Sequence, residues 1–257
     1  MRLLVLAAAV LALSACGGSH ATTSTTTPAA KPAPFAGTVA RTTAAQTVRF
    51  AQLTQLSLSG SVLEAAENGT ASLVKRRAHV YKQLAGGGVP GEIVVVGPIT
   101  YTNANVQASL NDPAVSPWTK LDTRKLNARQ RASQADELAH AVAPAYLAAG
   151  VSQPHLVGIF GNLTEYRGSV EPTRLAGQLP PAVRSSVLKA VGADYPAHAF
   201  PARFWLDPQG RIRRVLVAYS TPKGTPVLVD TRYQAFGVKV DVSLPPAREI
   251  KDVTPAS

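Results

Sequence analysis

The apolar residues of this chain change their repeat twice along its length, and that limits the folds open to it. Between Thr47 and Leu63 the even positions Val48, Phe50, Leu56, Leu58 and Val62 recur every second residue, interrupted by Gln52 and Thr54, which is the spacing of a strand with one buried face. Glu67, Asn68 and Gly69 then read as a turn into a second strand over 70–84. A glycine-rich reversal leads to EIVVVGPITYTN at 92–103, where Ile93, Val95, Ile99 and Tyr101 are expected on one face. From Arg129 to Ala143 the step lengthens to three and four, through Ala132, Ala135, Leu138, Ala139 and Val142, which predicts a helix ended or kinked at Pro144. A second helix is predicted over 180–193, with Pro181 in its first turn and Val183, Val187, Leu188 and Val191 as its buried stripe. Strand spacing then returns. A hairpin over 201–220 turns at Asp207, Pro208, Gln209 and Gly210, and a further strand spans 225–237. Strands, then helices, then strands predict an α+β domain: an antiparallel sheet with helices on one face.

The amino terminus carries a different signal. Arg2 followed by the Leu, Ala and Val run from Leu3 to Leu13 has the form of a secretory leader, and is too short for a spanning helix, which needs roughly 20 apolar residues. Leu13, Ser14, Ala15 and Cys16 resemble the bacterial lipobox, so residues 1–15 are read as a lipoprotein signal peptide and Cys16 as the residue that receives diacylglycerol. A plain leader, with Cys16 incidental, is the alternative. Cys16 is the single cysteine, so a mature chain beginning there has no disulfide and relies on an apolar core. Residues 16–34, rich in Thr, Ala, Pro and Gly, bury too little surface to fold and are expected to form a lipidated flexible tether. Residues 35–257 are expected to form one domain.

Chemistry is sparse. The sequence contains no GxSxG, P-loop, HExxH, dinucleotide-binding or EF-hand motif, and its five histidines show no metal-ligand spacing. No catalytic residue, metal or cofactor is expected. The net charge of +11 would draw the domain to anionic lipid head groups or a wall polymer; nucleic acid is not expected as a partner of an exported chain. Trp118, and Trp205 beside Phe200 and Phe204, are candidates either for the core or for a ligand cavity.

NGTASLVKRRAHVY from Asn68, then GEIVVVGPITYTN, SPWTKLD, FWLDPQGRIRRV and the closing FGVKVDVSLPPAREIKDV resemble, in that order, the actinobacterial lipoproteins of the LppX and LprG kind, relatives of the LolA fold. The resemblance implies a curved antiparallel half-barrel with helices packed on its concave face around an apolar cavity. It also implies a non-enzymatic protein, lipid-anchored on the extracytoplasmic face of the cell membrane, that binds or transfers the acyl chains of a lipid or lipoglycan. Under that fold, strand alternation picks Ile93, Val95, Ile99, Tyr101, Phe204, Val215, Val217, Val229 and Tyr233 as cavity lining. Six Phe and one Met leave two readings open, a small cavity or one filled by its own core. The alternative function is that of an envelope signalling or assembly partner, using the same fold as a protein-binding surface.

Overall fold

Thr47–Leu58 (β1) and Ser61–Ser72 (β2) form a long hairpin, turned by Gly60 in the left-handed region at φ 86°. The computed structural model describes residues 35–255 apart from 59, 85–90, 104–110, 113–114, 134–136, 182, 186, 189–197 and 222–223. After β2 the chain meanders through β3 (Arg77–Leu84), β4 (Gly91–Val96), β5 (Ile99–Asn103) and β6 (Trp118–Asp122). Helices α2 (Ala128–Ser133) and α3 (Glu137–Leu147) follow, then the hairpin of β7 (Val151–Phe160) and β8 (Leu163–Val170), and α4 (Pro172–Gln178). The last strands are β9 (Phe200–Leu206), β10 (Ile212–Ser220), β11 (Pro226–Phe236) and the short β12 (Ile250–Asp252). A short helix α1 (Thr38–Thr43) precedes β1.

The strands join into one sheet of order β12-β6-β5-β4-β3-β2-β1-β11-β10-β9-β8-β7. Its ends do not meet, so it is an open, curled half-barrel of α+β class, antiparallel except where β12 runs parallel to β6. β1 lies in the middle, bonded to β2 on one side and β11 on the other. The main core covers the concave face: Val48, Phe50, Ala71, Val80, Phe204 and Val215 pack there with Leu138, Val142, Tyr146 and Leu147 of α3.

The predicted turn at Glu67–Gly69 is instead the middle of β2, where Asn68 pairs with Ala51 on one side and Tyr81 on the other. Gly69 answers a close approach rather than a reversal, since a Cβ there would lie 2.0 Å from the carbonyl oxygen of His79. Pro144 lies inside α3, which runs on to Leu147 because Tyr146 and Leu147 are buried and the Tyr146 hydroxyl donates to the Leu73 carbonyl at 3.1 Å. In the second predicted helix the described positions from 181 to 188 are helical, with Val187 buried and Val183 and Leu188 packed on the core, while Val191 lies outside the described residues. The β9–β10 turn is as predicted: Asp207 Oδ1 accepts the Gln209 and Arg211 amides at 3.1 and 2.9 Å. The β7–β8 hairpin, α1 and α4 escaped the sequence reading.

Candidate functional site

Period-two burial decides which side chains share the concave face. Val217 pairs with Ala202 and Val229, Val215 with Phe204 and Thr231, and Phe50 with Tyr233, so these groups stand side by side across β9, β10, β11 and β1. On the other wing Ile93 pairs with Val80, and Val95 with Ala78. Thus Ile93, Val95, Phe204, Val215, Val217 and Tyr233 meet in one buried cluster, with Val229 buried beside Val217. The Tyr233 hydroxyl donates to the Ala141 carbonyl of α3 at 2.9 Å, fastening the helix to the sheet.

Ile99 and Tyr101 do not join them. The turn between β4 and β5 has two residues, Gly97 and Pro98, and sets Val96 opposite Ile99 and Val94 opposite Tyr101. Odd positions of β4 therefore share a face with even positions of β5, and the predicted facing of Ile99 and Tyr101 is reversed. They lie on the convex side with Val94 and Trp118, covered by Val242 and Ile250 of the carboxy-terminal stretch. Cys16 lies outside the described residues.

A polar belt crosses the concave floor. The Thr231 hydroxyl donates to Gln52 Oε1 at 2.8 Å, Gln52 stands opposite Glu67, and Glu67 Oε1 meets Lys82 Nζ at 3.0 Å. Glu67 Oε2 is buried with no hydrogen-bond partner among the described residues. A carboxylate oxygen enclosed without a donor in a largely apolar floor is a cost that the rest of the belt has to offset. Beyond this belt the same face emerges from cover: Thr54 and Leu56 are half-buried, and Leu58 and Leu63 are exposed. Leu63 stands directly opposite Leu56, which in turn faces Val227. This apolar strip is the mouth of the concave face, and no sequence motif marked it, because its residues continue the alternation of the core.

The convex face is electrostatic. Asp230 is held by Arg214 at 2.7 Å and Arg232 at 2.7 Å; burial by itself would raise its carboxyl, but the two guanidinium groups outweigh burial and hold it below the usual range. Trp205 lies between Arg214 and Arg203, 4.5 and 5.0 Å from their guanidinium carbons, so it belongs to this face and not to the main core. Arg203 continues to the buried Glu165 at 2.6 Å. A cleft of about 460 Å³ beside it is lined by His155, Arg167, Arg203 and Leu216. A second, of about 330 Å³, holds Arg49, Tyr81, Lys239 and His79, whose Nε2 lies 2.6 Å from Glu92 Oε1. Among the described residues no three His, Cys, Asp or Glu groups converge on a metal position.

No family model matches the chain, and no curated protein matches it in sequence. Among solved structures, the lipoprotein LppX of Mycobacterium tuberculosis is similar at 14% identity and a TM-score of 0.44, over 82% of this chain and 100% of that one. A LolA-superfamily protein of Nitrosomonas europaea is similar at 8% identity and a TM-score of 0.30, over 78% and 94%. A DUF1329 family protein of Desulfovibrio piger follows at 7% identity and a TM-score of 0.26, over 80% and 95%.

Proposed function

We propose that this protein is a membrane-anchored, extracytoplasmic lipoprotein that holds the acyl chains of a lipid or lipoglycan against its concave face, without catalysis. One observation carries the reading: the apolar face of the half-barrel continues past its buried core, through the half-buried Leu56, to the exposed Leu58 and Leu63. A face that served only as a core would end where its cover ends, because exposed apolar area is unfavourable by about 25 cal/mol per Å². Acyl chains laid along the strip would leave water for an apolar surface. Diacylglycerol on Cys16 would hold the domain at the donor membrane, where lipid is at high effective concentration.

The test is to purify the protein from its native envelope, extract it with organic solvent and identify what is released by mass spectrometry. Stoichiometric release of an acylated compound supports the reading; a protein that yields no lipid overturns it.

A further inference from the structure

We propose that the tip of the β7–β8 hairpin enters an anionic lipid surface, so that the rim of the half-barrel carrying it is the membrane-facing end of the domain. Residues 156–163, LVGIFGNL, carry no charge. Leu156, Ile159 and Phe160 are 59, 71 and 56% exposed, and Val157 is exposed beside them. Single exposed apolar residues are ordinary, but four within five positions at the end of one edge strand form a patch that water disfavours.

Three further observations select a lipid surface as the occupant. The first is charge. The ladders place the β7–β8 turn at the same end of the strands as the β9–β10 turn, the 73–76 bend, the β4–β5 turn and the residues that follow β6. Lys75, Arg77 and Lys125 are exposed there, with Val74 and Val96 exposed among them, while Arg124 at the same rim is paired with Asp122. Cations interspersed with apolar groups fit an anionic membrane interface. The second is connectivity. The chain joins the domain at Phe35, whose ring packs on Tyr166 at 5.7 Å and Phe204 at 5.0 Å, and α1 then sits at the same rim, where Thr42 accepts the Ile212 amide. Tyr166 is three residues beyond Leu163, so the segment that bears Cys16 is attached close to the hairpin. The third is that β7, although an edge strand, is poorly suited to pair with a second copy. Pro154 offers no amide, and its ladder is irregular between Ser152 and His155 and again between Leu156 and Gly158.

The mouth at Leu58 and Leu63 lies at the opposite end of β1. Twelve residues of strand span roughly 40 Å, so a domain seated on its hairpin would hold the mouth about that far above the lipid surface. The seating does not depend on whether the concave face binds lipid.

A depth measurement on the full chain tests this. Phe160→Trp and Leu63→Trp variants are mixed with phosphatidylglycerol-rich vesicles whose acyl chains are brominated, the vesicle-bound fraction is isolated by flotation, and the wild-type emission of Trp118 and Trp205 is subtracted. The tryptophan at 160 is expected to shift to shorter wavelength and lose intensity to the bromines, with no change at 63, and adding Ile159→Asp should remove the effect. Equal quenching at both positions, quenching at 63 alone, or no quenching overturns the proposal. So does a concentration-dependent shift at 160 without vesicles, which would assign the patch to a second copy. Undiminished quenching in pure phosphatidylcholine would overturn the part given to the cationic rim. Lipid release from the purified protein is a separate readout, so this proposal and the carrier reading can fail independently.

Discussion

The hydroxyl of Tyr233, in β11, donates to the carbonyl of Ala141, in α3, and ties the helical cover to the sheet floor at 2.9 Å. The ring of Tyr233 is fully buried against Phe50 and Phe236. Tyr233→Phe keeps the packing and loses the hydrogen bond, a change of about 1 kcal/mol. Tyr233→Ala also empties a ring-sized volume and should lower stability by about 3–5 kcal/mol. Urea midpoints of the two variants would separate the contributions; similar losses would show that the ring contributes little.

Gly69 and Gly60 should respond differently to alanine. At Gly69 the added methyl meets the His79 backbone in the centre of the sheet, where neither strand can yield, and a loss of about 3 kcal/mol is expected. At Gly60 nothing lies within 4 Å and only the left-handed backbone resists, which costs about 1 kcal/mol. Thermal unfolding should rank Gly69→Ala well below Gly60→Ala.

Asp122 should report acid sensitivity. Hydrogen bonds from the Arg124 side chain, helped by the Arg124 amide at 3.1 Å, bring its carboxyl down to about 2. Because the folded value lies below the unfolded one, this carboxylate stabilises the fold fully above pH about 4, and the contribution is lost as pH falls towards 2. Carboxyl NMR titration should find the low midpoint in the wild type and a value near that of a free aspartate in Arg124→Ala. An unchanged midpoint in the variant would contradict the assignment.

Leu63→Arg tests the mouth without disturbing the core. Leu63 is exposed, so stability should change by about 0.5 kcal/mol or less. The amount of acylated compound that copurifies should nevertheless fall, because a guanidinium would sit opposite Leu56 in the apolar strip. Unaltered lipid content would move the binding surface elsewhere.

Alternation within one strand was legible in the sequence; the relation between neighbouring strands was less so. Val48, Phe50 and Tyr233 point inwards as their spacing demands, and the Asp207–Gly210 turn follows from its residues. Ile99 and Tyr101 went to the other face because facing across a hairpin depends on the parity of the turn, and a run of residues read as one strand conceals that count. Glu67–Asn68–Gly69 has the composition of a turn, yet the glycine serves a contact with β3, a partner that local sequence does not reveal. The β7–β8 hairpin was missed because Pro154 and two ladder irregularities break the alternation that identifies a strand.

The position of β1 governs how the molecule can assemble itself. Gln52 and Thr231 are hydrogen-bonded across the β1–β11 ladder although 179 positions separate them in the chain. The sheet is therefore two wings, each built largely from sequential neighbours and joined at the long β1–β11 seam, with the short β12–β6 pairing as a second long-range contact at the edge. The β1–β6 wing can pair as soon as it is made, but β1 keeps one unpaired flank until β11 exists. Refolding should be slow for a domain of this size, with seam closure as its late step, because the loop entropy of that pairing is opposed only once both wings are in place.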